Sequence, residues 1–145
     1  MLIDYLKEVF FKYIFNNKTY VRNEKNIKMF SIRNFGDATA IRAKKFYIHE
    51  PDTVDWINEF KEKSLFLDIG ANIGVYSLYA AYKKCDVISL EPHSLNFAAL
   101  NLNIMDNKFE DKIIAFPVSA NEKRKASYLF HSKNLKFGGA HTTFG

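Results

Sequence analysis

One cysteine, three prolines and six glycines in 145 residues leave little from which to build a cross-linked, collagenous or linker-like chain. Cys85 alone admits neither an internal disulfide nor a thiolate metal cluster. A reduced, structural thiol suits a cytoplasmic protein. No apolar run approaches the ~18 residues that mark a membrane span, because Asp4, Lys7, Glu8 and Lys12 break up the apolar start, and there is no signal-peptide pattern. Nor is there a long block of one charge. The formal charge is +5, yet the lysines are scattered among acids. The densest basic cluster, Lys123-Arg124-Lys125, reads as a solvated turn, so no nucleic-acid partner is expected. Several catalytic signatures are missing too: no G-x-S-x-G, no Cys/His pair and no P-loop. His49, His131 and His141 lack ligand-like spacing, so no metal site is expected. What is present is globular, with 48% hydrophobic and 16% aromatic residues in a chain long enough for one domain.

Leu2, Leu6, Val9, Phe10, Tyr13 and Ile14 recur at helical spacing, which predicts a helix over 2–15 packing on the domain. Its aromatic residues and Lys7 and Lys12 also fit an interfacial helix in peripheral contact with a membrane, although Asp4 and Glu8 share its polar face. Residues 27–35 and 40–48 read as two strands of a hairpin turning at Asn34-Phe35-Gly36-Asp37. Glu50-Pro51-Asp52-Thr53 then starts a helix, with proline and acids suited to its first turn. From Leu65 the pattern alternates: strand 65–69, helix 75–84, strand 87–90, a helix capped by Ser94 with Leu95, Ala98, Ala99 and Leu102, and strand 113–118. Short connections between such elements imply parallel strands and right-handed crossovers, hence half of an open α/β sheet. A last apolar run, Tyr128-Leu129-Phe130, follows. Residues 1–63 thus form a helix, hairpin and lead-in helix, and 64–145 an α/β half-domain.

The chemistry concentrates where strand 65–69 ends. Asp68 leads into Gly70-Ala71-Asn72-Ile73-Gly74, and Glu91 ends the next strand, 23 residues on. In an open α/β sheet adjacent strand ends line one crevice, so both carboxylates face it. A carboxylate such as Glu91 can accept both vicinal hydroxyls of a ribose. A dinucleotide cradle prefers G-x-G-x-x-G, whereas an acid heading the loop repels a pyrophosphate and pairs with an ammonium. S-adenosylmethionine carries an α-ammonium for Asp68 and an α-carboxylate for the loop N–H groups. That cofactor is favoured, with NAD as the rival. His93, just past Glu91-Pro92, reads as a solvated loop residue, and His141, beside Gly138-Gly139, as a distant candidate for an acceptor pocket. Tyr76, Tyr79 and Tyr82 read as packing residues.

Phe66 to Gly74, followed by Val87-Ile88-Ser89-Leu90-Glu91-Pro92, resembles the FkbM-type family of S-adenosylmethionine-dependent methyltransferases, whose hallmarks are D-x-G-A-N-x-G and a strand-ending E-P pair. Glu50-Pro51-Asp52-Thr53-Val54 and Leu100 to Ile104 with Asn107 are family-like as well. The resemblance covers roughly residues 47–120. It implies a Rossmann-like class I methyltransferase sheet that moves a methyl to an oxygen of a small-molecule or glycan acceptor. By position, Asp68, Gly70, Asn72 and Gly74 would line the methionyl part, Glu91 the ribose, and Ser119 and Ala120 the adenine. It implies no catalytic residue among these. It also implies an incomplete sheet, only the 3-2-1 half of seven strands, so that Gly145 is expected to be an interruption. An NAD-dependent oxidoreductase domain and an inactive cofactor-binding remnant stay open as alternatives.

An isolated 145-residue chain would leave its first α/β strand with an unpaired apolar edge. It is therefore expected to be poorly soluble or inactive. Sedimentation velocity with a methyl-transfer assay checks this, and a soluble monomer with turnover contradicts it.

Overall fold

The computed structural model describes residues 1–120, 129–131, 137–139 and 142–144, and the side chains of these except 10–16, 129–131 and 142–144. Helix α1 (Leu2–Asn16) leads into an antiparallel pair, β1 (Lys18–Arg22) and β2 (Lys28–Arg33). Three helices follow: α2 (Asp37–Lys44), α3 (Phe46–His49) and α4 (Pro51–Asn58). Next come β3 (Leu65–Ile69), α5 (Val75–Tyr82), β4 (Asp86–Leu90), α6 (Ser94–Asn107) and β5 (Ile113–Phe116). Two short strands, β6 (Leu129–His131) and β7 (Thr142–Phe144), pair antiparallel.

Strands β3, β4 and β5 form a parallel sheet in that order, with Asp68 opposite Ser89 and Ile69 opposite Leu90. This is the expected Rossmann-like half-sheet: α/β, with β3 at an edge that has no partner strand among the described residues. One face is closed. Phe66, Val87, Ser89 and Ile113 are buried there, on the side of Leu78, Ala99 and Leu100 from α5 and α6. The alternate residues Leu65, Leu67, Ile69, Ile114 and Phe116 are 45–64% exposed. Parallel sheets ordinarily bury both faces, so this one is covered on a single side.

The expected hairpin is displaced by one element. Residues 40–48 are helical, and the strand paired with β2 is β1. The turn between them is built by Asn23, whose Oδ1 accepts from the N–H groups of Lys25 and Ile27 at 3.1 and 2.9 Å. What ends β2 instead of turning it is Thr39. Its hydroxyl donates to the Gly36 carbonyl at 2.7 Å and accepts from the Phe35 N–H at 2.9 Å, fixing the start of α2. Thr39, Ala43 and Phe46 are buried at helical rather than alternating spacing. Helix α4 begins with Pro51 in its first turn, as expected, and buries Val54 and Ile57. On helix α1 the expected packing residues Leu2, Leu6 and Val9 are exposed, as are Ile3 and Tyr5, while the side chains of Phe10, Tyr13 and Ile14 lie outside those described.

The hairpin is fastened to α6 by side chains that stand in for a strand. Asn107 exchanges two hydrogen bonds with the backbone of Ser31, both 2.8 Å, and Asn103 accepts from the Arg33 N–H at 2.9 Å. Asp106 takes two bonds from Arg33, at 2.5 and 2.8 Å, and lies 3.0 Å from Lys18. Burial pushes the Asp106 carboxyl up, but the hydrogen bonds from Arg33 and Lys18 outweigh it and hold the group below its ordinary value.

A depressed carboxylate contributes stability that is present above its unfolded pKa of about 3.9 and disappears as pH falls through the folded value. Asp106→Asn is thus expected to lower stability at pH 7 by about 1.5–3 kcal/mol. The gap in urea midpoint between variant and parent should close in strong acid. A gap that persists unchanged below pH 2 contradicts this assignment.

Candidate functional site

Asp68 lies near the carboxyl end of β3, and the chain then turns through five residues into α5. The loop is anchored by alternation: Ala71 and Ile73 are buried, while Gly70 is exposed and Asn72 half-buried. Gly70, Asn72 and Gly74 all have positive φ, at 81°, 55° and 87°. Asparagine tolerates this left-handed conformation best among residues with a Cβ. The two glycines are required for different reasons. A Cβ at Gly74 would collide with Leu100 Cδ1 of α6, so this glycine serves helix packing. A Cβ at Gly70 would meet nothing within 4 Å, so here the backbone faces open space. That opening is the cradle.

Every amide of the loop is already engaged. Gly70 and Ala71 donate to the Leu90 carbonyl at 2.8 and 3.0 Å, and Gly74 to that of Ala71 at 2.8 Å. Asn72 N–H donates to Glu91 Oε2 at 2.7 Å, and Ile73 N–H to Asn72 Oδ1 at 2.9 Å. This overturns the expectation that loop N–H groups take a carboxylate. An anion at the loop is left with the first-turn amides of α5.

Glu91 is 5% exposed, and its other oxygen accepts from the His93 N–H at 2.9 Å. It therefore pins the β3 loop to the end of β4, each oxygen accepting one of these bonds. His93, expected in solvent, is buried because it caps α6: its Nδ1 accepts from the Asn96 N–H at 3.4 Å. His93, rather than Ser94, is the cap, and Ser94 is the first helical residue.

Asp68 is held from behind. Its Oδ2 accepts from the Ser77 hydroxyl at 2.5 Å, and Ser77 lies 2.8 Å from the Ser89 hydroxyl. Ser77 has one proton, and Asp68 takes it, so Ser89 donates into Ser77. Burial pushes the Asp68 carboxyl above its ordinary value, against the Ser77 hydrogen bonds that lower it, and Glu50 and Glu91 add to the rise. The ionised acid is short of positive partners.

Around the loop lie residues that the motif did not announce. The Gly139 carbonyl accepts from Asn72 Nδ2 at 3.0 Å and Asn96 Nδ2 at 2.9 Å. The Gly138 N–H donates to Asn96 Oδ1 at 2.8 Å, and its carbonyl accepts from Arg42 Nε at 3.0 Å. Phe137 stacks on Phe35 with ring centres 4.5 Å apart. Ser89 lies inside the sequence motif, but only the register of the folded sheet sets it opposite Asp68. Burial pushes the half-buried Tyr76 hydroxyl up to about 12, so it is protonated at neutral pH.

Asp68, Gly70, Asn72, Gly74 and Glu91 are thus brought together. Ser119 and Ala120 follow the end of β5, and among the described residues no hydrogen bond ties them to this cluster. Lys123-Arg124-Lys125, Tyr128 and His141, singled out in the sequence, lie outside the described residues. Among the described residues no three metal-ligating side chains converge, and no helix is long and apolar enough to cross a membrane.

No family model matches the chain, and no curated protein does either. Solved structures are similar over most of its length. TYW2 of Pyrococcus horikoshii in complex with MeSAdo is 28% identical, with 71% of this chain and 36% of that one covered and a TM-score of 0.46. The human METTL16 catalytic domain in complex with a MAT2A 3′UTR hairpin is 15% identical, with coverages of 78% and 46% and a TM-score of 0.47. The amino-terminal domain of human METTL16 in complex with SAH is 18% identical, with coverages of 74% and 51% and a TM-score of 0.42. The chain spans between about a third and a half of the length of these structures.

An acid whose folded pKa is raised binds its proton more tightly in the native state. Stability therefore falls as pH rises from the unfolded value of about 3.9 through the folded one. Asp68→Asn is expected to raise the urea midpoint at pH 7 and to leave it unchanged near pH 3. A variant that is less stable than the parent at pH 7 refutes this reading.

Proposed function

We propose that this chain carries the cofactor-binding part of an S-adenosylmethionine-dependent O-methyltransferase of the FkbM type. The observation that carries the reading is an acid-headed loop whose own amides are all occupied. A site for pyrophosphate needs free amides and no carboxylate at its head. This loop offers the reverse, a raised and under-compensated Asp68 beside an open approach at Gly70. An ammonium fits it, which disfavours NAD.

In this reading the residues fit the cofactor as follows. Asp68 takes the ammonium, oriented by Ser77 and Ser89. Gly70 lets the methionyl chain lie against the backbone, and Asn72 and Gly74 shape the turn beneath it. Glu91 offers its remaining lone pairs to the ribose hydroxyls, and Ser119 and Ala120 flank the adenine. When bound, the sulfonium supplies an activated methyl and a good leaving group. The protein's work is then positioning for an in-line displacement, with a base to receive the acceptor's proton. Asp68 and Glu91 are engaged with the cofactor and are not that base. The family resemblance makes the acceptor a hydroxyl of a sugar or glycoconjugate. The exposed sheet face and the edge of β3, which has no partner strand among the described residues, are where further elements of such a fold would pack. A cytoplasmic setting, from the lone thiol Cys85, belongs to the same proposal.

Calorimetric titration of the protein checks this. S-adenosylmethionine and S-adenosylhomocysteine are expected to bind and NAD not to, and NAD binding alone overturns the proposal. Glu91→Ala is expected to weaken cofactor affinity at least about tenfold, by removing charged hydrogen bonds to the ribose. Unchanged affinity removes Glu91 from the site.

A further inference from the structure

We propose that Arg42 binds the carboxylate of the cofactor's amino-acid tail, with the Gly138-Gly139 strap holding its guanidinium over the loop. This rests on the S-adenosylmethionine reading above and adds a residue outside the motif that suggested it.

The tail of such a cofactor carries an anion as well as a cation. The loop cannot take the anion with its own amides, because the N–H groups of Gly70, Ala71, Asn72, Ile73 and Gly74 all donate within the protein. Asp68 and Glu91 make the surroundings negative, and the first-turn amides of α5 are neutral donors, so a carboxylate here gains from a cation brought in from elsewhere.

Four cations are committed to acids away from the loop. Arg33 and Lys18 are held by Asp106, Lys84 by Glu62 and Lys112 by Asp86. Arg42 is different. It is half-buried in the last turn of α2 and uses only Nε, in its bond to the Gly138 carbonyl at 3.0 Å. A guanidinium has five N–H donors in a planar fork that matches a carboxylate. Among the described residues no other hydrogen bond uses the remaining four.

The strap connects Arg42 to the loop. The Gly138 carbonyl receives Arg42, and the next carbonyl, that of Gly139, receives the side chain of Asn72 in the middle of the loop. Asn96 grips both residues of the strap from α6. The seat is close. Gly138 has φ +75°, and a Cβ there would lie 3.5 Å from Thr39 Cγ2 and 3.6 Å from Arg42 Nε. Tyr76, in the first turn of α5, reports the same neighbourhood: after burial and Glu50, its hydroxyl feels the charges of both Arg42 and Asp68. A cation and an acid therefore both act on one side chain next to the loop, as the two ends of a zwitterionic tail would need.

The test is a ligand truncation. Binding of S-adenosylhomocysteine, which keeps the amino-acid tail, is compared with that of 5′-methylthioadenosine, which lacks it, by calorimetry on the same full-length protein. Arg42→Ala is expected to weaken the first by about tenfold to a hundredfold, the range for losing a charged hydrogen bond. Binding of the second should change less than about twofold on the same scale. Arg42→Lys should recover part of the loss. If Arg42→Ala does not fold, Arg42→Gln, which keeps a donor without the charge, is expected to show the same tail-specific loss. A parent protein that binds neither ligand removes the cofactor reading, and this assignment with it. A parent that binds both, with variants that weaken both equally or neither, leaves the cofactor reading intact and overturns the role of Arg42.

Discussion

Three asparagine side chains on one face of α6 hold this structure together. Asn96, Asn103 and Asn107 are spaced seven and four residues apart, which brings them to one side of the helix. Asn107 serves the backbone of β2. Asn103 bridges β2 and the loop of residues 70–74, accepting from Arg33 N–H and donating to the Ile73 carbonyl at 2.9 Å. Asn96 grips the strap. Each amide supplies a partner to buried backbone that no strand reaches. A buried amide left without its partner costs about 1–3 kcal/mol, so hairpin, loop and strap keep their places only while this face of α6 is intact.

The site inherits its chemistry from that arrangement. Because the loop is braced by Leu90, Glu91 and its own Asn72, its amides are unavailable to an anion, while the Gly70 backbone stays open. Asp68 stands at the head of a surface with little positive charge of its own. A rigid, acid-headed turn selects for a cationic ligand group in a way that a flexible glycine loop with free amides would not. The bond from Asn72 to Glu91 also ties the ends of β3 and β4 into one unit, so the two carboxylates keep a fixed relation.

Much of this was legible in the residues. The parallel strand order, the lead-in helix at Pro51, and the meeting of Asp68, Gly70, Asn72, Gly74 and Glu91 all follow from local pattern, because strand ends and glycine turns are local devices. Legibility failed where the partner was remote or the pattern was polar. Residues 40–48 alternate well enough to pass as a strand, and only the buried Thr39, bonded to the Phe35 N–H and the Gly36 carbonyl, shows why they coil. The spacing puts the face of α6 on Leu95, Ala98, Ala99 and Leu102; Ala99 is buried, but Ala98 is exposed and Asn96 and Asn103 are buried. His93 looked like a loop residue until its cap was visible.

By itself the sequence determined the half-sheet and the cradle at its strand ends, since hydrophobic periodicity and backbone freedom at glycine act over a few residues. The tertiary structure alone decided which donors and acceptors remain for a ligand. That depends on hydrogen bonds between groups far apart in the chain, Arg42 with Gly138 and Asn72 with Gly139 among them. No local pattern encodes such pairs, because each backbone carbonyl looks the same until the fold brings a side chain to it.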